Sequence, residues 1–382
     1  MSVSAVKNFV FKIMYRTAML FPVQKKVFFS SFSGKRYGDS PKYISEKLHE
    51  LYPDVQIVWQ RHFKYQFDVP DYVKLVKSPG WSSFYEQATS KIWVDSHLKR
   101  HWMPKRKNQY LLETWHGGLG FKKIQMDVSA SDAALDDDKK SALHTAAIAD
   151  VFLSNSDWIS DIYQSGFQYK GEILKCGFPK NDVFFREQPE TVRKIKRVFN
   201  IPEEKAVILY APTFRDDKQS KAYDIDFQAL ITAFRESFHK DCVVLVRMHP
   251  LMIKEAENFY SYDASVINAT GYSDSQEILL ASDALITDYS SIVFDFMLMR
   301  RPAFLFVPDL KEYEQERGFY QPMSYYPFSY ALDNQELCRN IRSFENEAYQ
   351  KKTDAFILKV GLHESGCAAE TAVKKIIAWM EE

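Results

Sequence analysis

Short apolar runs rich in β-branched residues recur along this chain and alternate with amphipathic stretches, a pattern that leaves few folds open. In the first half the runs are Lys26-Val27-Phe28-Phe29, Val55-Gln56-Ile57-Val58-Trp59, Val73-Lys74-Leu75-Val76, Ile92-Trp93-Val94, Tyr110-Leu111-Leu112, Val151-Phe152-Leu153 and Ile173-Leu174. After Ile201-Pro202 the pattern restarts with Val207-Ile208-Leu209-Tyr210, Val243-Val244-Leu245-Val246, Val266-Ile267, Ala284-Leu285-Ile286 and Ala303-Phe304-Leu305-Phe306-Val307. Such runs predict parallel strands covered on both faces, and the stretches between them predict the covering helices. Ser40-Pro41 offers an N-cap and a first-turn proline ahead of Ile44, Leu48 and Leu51, and Ser156 stands before Trp158-Ile159-Ser160-Asp161-Ile162-Tyr163. Two Rossmann-like α/β sheets follow. At 382 residues the chain is too long for one ordinary core. We place the domains at 1–200 and 201–382, joined by the polar, proline-containing stretch from Arg186 to Lys205. Two lobes imply a central cleft.

The 50 basic and 50 acidic side chains balance, so no global field recruits nucleic acid, and an anionic ligand must be held by local groups. Cys176, Cys242, Cys338 and Cys367 stand far apart without a CxxC pair, which speaks against a zinc site or a disulfide framework and fits a reducing cytoplasm. No strand-linked GxGxxG, no GxxxxGK[ST] and no GxSxG is present, and neither a resident metal nor a cofactor is expected. No run approaches the length of a spanning helix, and no cleavage site follows the N-terminal apolar stretch, so a cytoplasmic protein is expected. Val6 to Phe21 mixes apolar residues with Lys7, Lys12 and Arg16; packing against the domain ranks ahead of docking on an anionic membrane. The cluster Lys99, Arg100, His101, Lys105, Arg106 and Lys107 around Trp102 reads equally as a contact for lipid phosphate and as a solvated loop. The acidic run Asp132 to Asp138 has no strand-end context and reads as a solvated helix start or loop.

Ligands of open α/β sheets bind beyond the carboxyl ends of the strands, and the unusual residues lie there. Tyr110-Leu111-Leu112-Glu113-Thr114-Trp115 leads into His116-Gly117-Gly118-Leu119-Gly120. The glycines allow close backbone approach, and the residues alone admit His116 both as a general base and as a structural ring on Trp115. In Arg247-Met248-His249-Pro250, Arg247 and His249 alternate onto one side of a strand end, where both can donate to phosphate. Tyr210-Ala211-Pro212-Thr213-Phe214-Arg215-Asp216-Asp217 leaves another strand through a proline turn. The strongest local signal is Thr287-Asp288-Tyr289-Ser290-Ser291, a strand turning into a helix whose start offers N–H groups and hydroxyls to an anion; helix capping is the competing explanation. Asp295, one turn inside, suits ribose or polyol hydroxyls or an arginine partner. A cleft with two histidines, several cations and a phosphate turn suits transfer from a nucleotide-diphosphate donor.

These motifs, in this order, resemble those of the CDP-glycerol glycerophosphotransferase family, enzymes of teichoic acid and capsule synthesis. The resemblance runs from Ser33-Gly34-Lys35-Arg36-Tyr37-Gly38-Asp39-Ser40-Pro41 through Thr114-Trp115-His116-Gly117, Gly177-Phe178-Pro179-Lys180-Asn181-Asp182 and the segments just quoted to Arg317-Gly318-Phe319-Tyr320. It implies a GT-B fold, two Rossmann-like domains facing a cleft, with the acceptor met mainly by the first and the CDP-polyol by the second. It further implies His116 as base, His249 beside it in catalysis, and Gly117, Gly118, Lys180, Thr213, Phe214, Arg247, Met248, Ser290, Ser291 and Asp295 as substrate-binding residues. The implied partners are CDP-glycerol or a related CDP-polyol and a lipid-linked saccharide or polyol-phosphate polymer at the inner face of the cell membrane, with peripheral attachment there. Two departures stand out: Lys180 replaces the usual Arg, and Gly118-Leu119-Gly120 replaces a frequent Thr-Pro-Leu. A CDP-ribitol donor, or a GT-B glycosyltransferase using a nucleotide sugar, are the competing readings.

Overall fold

A computed structural model describes residues 3–128, 133–215 and 220–382, so Asp132 and the Asp216-Asp217 pair lie outside the described residues. Each apolar run named above forms a strand. β1 (Gln24–Ser30), β2 (Gln56–His62), β3 (Val73–Ser78), β4 (Ser90–Asp95), β5 (Tyr110–Glu113), β6 (Val151–Ser154) and β7 (Glu172–Lys175) make one sheet. β8 (Ala206–Ala211), β9 (Cys242–Val246), β10 (Val266–Asn268), β11 (Ala284–Thr287), β12 (Ala303–Phe306) and β13 (Ser329–Ala331) make the other. The orders are β3-β2-β1-β4-β5-β6-β7 and β10-β9-β8-β11-β12-β13, and neighbouring strands run parallel. The helices are α1 (Val3–Ala18), α2 (Asp39–Leu51), α3 (Trp81–Thr89), α4 (Ala133–Ile148), α5 (Asp157–Gly166), α6 (Pro189–Val198) and α7 (Phe227–Phe238). They continue with α8 (Ser275–Ala281), α9 (Ile292–Met297), α10 (Leu310–Arg317), α11 (Asn334–Arg342), α12 (Asn346–Val360) and α13 (Ala368–Glu381).

Alternation of side chains explains why the first sheet's strands are apolar throughout. Val27, Phe29, Ile57, Trp59, Ile92 and Val94 join a core with Ile44 and Leu48 of α2 and Ile376 and Trp379 of α13. Phe28, Val58 and Trp93, one residue out of phase, join a second core with Tyr15 and Ala18 of α1 and Phe84 of α3. In the second sheet Ile208, Tyr210, Val244, Val246, Ile286, Phe304 and Phe306 pack with Leu230 and Phe234 of α7 and Leu337 and Ile341 of α11. Both sheets are Rossmann-like, as expected for the GT-B class.

The chain divides differently from the expected 1–200 and 201–382. One unit takes the chain up to Gly118, then Ile124–Asp182 and Leu362–Glu382; the other takes Leu119–Lys123 and Val183–Gly361. The stretch read as a linker contains α6, whose Ile195 is fully buried and whose Lys194 pairs with Glu277 of α8 at 2.8 Å, so it belongs to the second unit's packing. α13 returns to the first unit because its buried stripe completes that core, and Asp182 caps it by accepting from Ala368 N and Ala369 N at 2.9 and 2.8 Å. The edge strand β13 was not foreseen: Ser329-Tyr330-Ala331 is half exposed and carries no apolar run.

One surface reading changes in part and another holds for the described residues. Lys99 is buried in an ion pair with Asp95, Lys105 pairs with Asp150 at 2.9 Å, Arg106 donates to Phe21 O at 2.8 Å, and Trp102 packs edge-on against Tyr15 and Phe84. Lys99, Lys105 and Arg106 are therefore engaged in internal structure, while Arg100, His101 and Lys107 remain exposed. Asp136, Asp137 and Asp138 lie exposed in the first turns of α4, a solvated helix start. Ser156 caps α5 through Ile159 N, as expected, whereas α2 begins at Asp39, ahead of the Ser40 expected to cap it.

Truncating a fully buried stripe residue of α13 tests its place in the first unit's core. Ile376→Ala is expected to cost about 2–5 kcal/mol and to lower the denaturant midpoint of the full chain; an unchanged midpoint contradicts the packing.

Candidate active site

Strand order reverses between β1 and β4 in the first sheet and between β8 and β11 in the second, and a crevice for ligands opens beyond the carboxyl ends at such a point. The sequence-derived candidates gather at both points.

In the first unit, Thr114 follows β5 and donates to Asp95 O from its amide at 2.8 Å and from its hydroxyl at 3.1 Å. Trp115 then takes a positive φ of 51°, and its amide donates to Glu113 Oε1 at 2.9 Å. This sharp turn carries His116 over the β1/β4 reversal. Its Nδ1 lies 2.8 Å from Ser96 O, and its ring meets Phe32 at 5.2 Å, His97 at 5.7 Å and Trp115 at 4.0 Å. Because a carbonyl can only accept, Nδ1 carries the proton and Nε2 presents a lone pair. Burial, then the neighbouring His97 and, more weakly, the charges of Lys180 and Arg36, pull the imidazole down to about 3 against the opposing Ser96 bond. A neutral ring held by its far nitrogen is the state a proton acceptor requires.

Glycine is required at Gly118, where an added Cβ would sit 2.7 Å from Phe178 and 2.9 Å from Asn155; at Gly117 the nearest atom would be an ordinary 3.5 Å away. Phe178 and Asn155 are fixed by Glu364, a residue with no local sequence signal. Glu364 Oε2 accepts from Phe178 N at 3.1 Å, and Oε1 accepts from Asn155 and Asn181 at 3.2 and 2.8 Å. Lys180, between them in sequence, is buried and 7% exposed. Behind the turn, Glu113 is fully buried; desolvation and then the nearby Asp95 raise its pKa well above the usual carboxylate range.

In the second unit the clamp is Asp288, missed as a site residue. It accepts from Thr213 N with both oxygens at 3.0 Å, from Thr213 Oγ1 at 2.8 Å and from Arg215 Nη2 at 2.9 Å. Arg215 also donates to Asp309 at 2.7 Å and lies over the Tyr313 ring at 4.3 Å. Burial opposes its charge, but Asp288 and Asp309 outweigh burial and raise its pKa. The clamp ties the β8 loop to the β11 loop, so Thr213 holds the site together with its own hydroxyl already engaged.

Ser290 and Ser291 follow at the start of α9. Ser291 makes no side-chain cap, and Ser290 Oγ accepts from Ile292 N only at 3.5 Å, so capping does not account for the pair. Both are half-buried. Asp295 is buried and accepts from Gln276 at 3.5 Å. Beyond β9, Arg247 is half-buried, with Nη2 3.4 Å from Tyr272 O. Met248, expected to touch substrate, is 1% exposed in the core, as strand alternation dictates for the residue between Arg247 and His249. His249 is exposed; its Nδ1 accepts from Leu251 N at 3.2 Å, placing the ring proton on Nε2, and Phe214 stands 5.8 Å from its ring. The two rings are thus held in opposite tautomers, Nε2 an acceptor in His116 and a donor in His249.

The His116 geometry has a direct spectroscopic consequence. With its pKa lowered from 6.5, the ring stays neutral as pH falls through 6.5 and charges only near 3. At pH 6 the ring ¹⁵N signals are expected to report the neutral Nδ1–H tautomer; an imidazolium pattern there contradicts the assignment.

Comparison with known proteins follows the same lines. A family model for CDP-glycerol:poly(glycerophosphate) glycerophosphotransferase matches residues 13–378. The teichoic acid poly(glycerol phosphate) polymerase of Bacillus subtilis (strain 168) is 33% identical over 327 residues, 81% of this chain and 42% of that protein. The teichoic acid glycerol-phosphate transferase of Staphylococcus aureus (strain NCTC 8325 / PS 47) is 32% identical over 337 residues, 83% of this chain and 84% of its own length. A solved structure of the wall teichoic acid polymerase TagF matches with a TM-score of 0.86 at 28% identity, covering 100% of this chain and 97% of that one. The chain spans about half the length of the Bacillus subtilis and Staphylococcus epidermidis polymerases, 42% and 49%. By a match that runs nearly from end to end, the chain belongs to the CDP-glycerol:poly(glycerophosphate) glycerophosphotransferase family.

Proposed function

We propose that the protein transfers glycerol phosphate from CDP-glycerol to a hydroxyl of a lipid-linked or polymeric acceptor, releasing CMP, in teichoic acid synthesis. The observation that carries this reading is the neutral His116, anchored through Nδ1 on Ser96 O with Nε2 as acceptor. The acceptor oxygen forms a bond to the glycerol-bearing β-phosphorus as the bond from that phosphorus to the bridging oxygen breaks. CMP leaves with the electron pair, and His116 takes the acceptor's proton. Arg247, His249 and Lys180 meet the charge moving onto CMP, Ser290 and Ser291 hold the phosphate, and Asp295 takes a donor hydroxyl. Gly117 allows backbone approach, and Phe214 lines the donor side. The sequence relatives named for glycerol phosphate, at 33% and 32% identity, stand above those named for ribitol phosphate, at 29% and 26%, which supports glycerol as the donor's polyol.

Attachment to the inner face of the membrane completes the proposal. α1 buries Tyr15 and Ala18 and turns Val6, Phe9, Val10 and Ile13 to solvent at 47%, 61%, 45% and 50% exposure, with Leu20 at 83%. That i, i+3, i+4, i+7 stripe, with Lys12 and Arg16 exposed beside it, suits a helix lying in a headgroup layer. No helix among the described residues is long and apolar enough to cross a membrane.

Two outcomes test these roles. His116→Ala is expected to abolish CMP release from CDP-glycerol while leaving CDP-glycerol affinity within about threefold, on the principle that a proton acceptor contributes to the transition state more than to ground-state binding; near-normal turnover, or a preference for CDP-ribitol in a parallel assay, overturns the reading. Phe9→Asp with Ile13→Asp should release the protein from anionic phospholipid vesicles in a sedimentation assay; equal pelleting of variant and parent removes α1 as the contact.

A further inference from the structure

The second unit carries a groove that the transfer chemistry does not use, about 670 Å3 in volume, between α12 and the segment running into the edge strand β13. Its α12 wall is the stripe Lys352, Ala355, Phe356 and Lys359, spaced i, i+3, i+4, i+7 and therefore on one helix face. The small Ala355 in the middle leaves the depression, and a lysine stands at each end, two turns or roughly 10 Å apart along the axis. The facing wall offers Tyr325 and the 37% exposed Tyr330. Lys359 Nζ lies 3.4 Å from the centre of the Tyr325 ring, which holds the ammonium at the groove.

Two lysines stand against one carboxylate among the residues lining the groove. Lys351 pairs with Glu347 at 3.1 Å, but Lys352 and Lys359 pair with no carboxylate among the described residues. The groove's Glu336 is committed to the start of α11: its Oε2 accepts from Leu332 N at 2.8 Å, while its own amide donates to Asp333 at 2.7 Å. Asn340 similarly donates to Tyr330 O at 2.9 Å, covering a carbonyl of the open sheet edge that a peptide strand would need. Two separated cations along an aromatic trough fit a linear chain bearing regularly spaced phosphates. A free phosphate or a single nucleotide can engage only one end.

We propose that this groove is a docking site for the polyol-phosphate chain of the acceptor, with phosphodiesters at Lys352 and Lys359 and the intervening polyol against Tyr325 and Tyr330. The inference rests on the proposed transfer to a polyol-phosphate polymer and adds a second point of attachment for long acceptors. Both lysines are exposed, so their replacement leaves the fold intact.

The test is amide hydrogen exchange on the full chain, with and without a lipid-free poly(glycerol phosphate) decamer. Comparison covers the parent, the Lys352→Gln/Lys359→Gln variant, and glycerol 3-phosphate in place of the decamer. Expected is decamer-dependent protection of peptides spanning 323–332 and 352–360, lost in the variant and not produced by glycerol 3-phosphate. Decamer affinity should lose about one unit of salt dependence per lysine replaced. The proposal is overturned by no protection there, by equal protection in the variant, by equal protection with glycerol 3-phosphate, or by protection that follows self-association in sedimentation. CMP release is measured on the same protein preparations after CDP-glycerol is added: its absence from the parent counts against the transfer itself, whereas protection is read without donor or turnover, so the two failures are told apart.

Discussion

Parallel pairing of strands buried on both faces is the constraint from which the molecule follows. A parallel neighbour is reached only by a crossover over the sheet, so strands must be apolar throughout and every connection into a helix leaves from the same end. Where strand order reverses, successive crossovers go to opposite faces and their loops part. That occurs at β1/β4 and at β8/β11, and the chemically capable residues of each unit stand at those places. Position is thus decided by topology before any side chain is chosen.

Holding the loops in shape falls to carboxylates that accept from backbone amides, Asp288 and Asp182 buried and Glu364 half-buried. Asp288 accepts from Thr213 and pairs with Arg215, while Glu364 and Asp182 do comparable work on the Phe178 and Ala368 segments. A buried ion pair contributes little net stability once desolvation is counted, yet removing one partner strands the other charge in an apolar site. Such a group fixes one loop geometry strongly against alternatives. Preorganised donors around a phosphate need that fixity, since a site that reorganises during reaction loses electrostatic stabilisation.

The strands and the two-sheet architecture were legible because burial on both faces leaves an uninterrupted apolar trace. β13 left none, being a three-residue edge in which Ser329 and Tyr330 are both exposed. His116 and the Ser290-Ser291 turn were legible as local patterns, whereas Glu364 was not, because its partner Phe178 lies far away in sequence. Thr213 and Asp288 were both visible, but not that each answers the other across two loops. The basic cluster from Lys99 to Lys107 misled for a related reason. Composition counts charges without showing that Lys99 buries its stem near Trp93 or that Arg106 reaches back to a carbonyl. Met248 sat inside a motif and was taken with it, though strand alternation turns it into the core.

α13 adds a consequence that concerns synthesis. Its Ile376, Trp379 and Met380 complete the core that β1, β2 and β4 begin, so that sheet lacks one covering layer until α13 emerges from the ribosome. The second unit is contiguous apart from a short strip near Leu119 and can close on itself earlier. The second unit can then close while the first unit's sheet stays open, with one face of β1 and β2 uncovered until α13 is made.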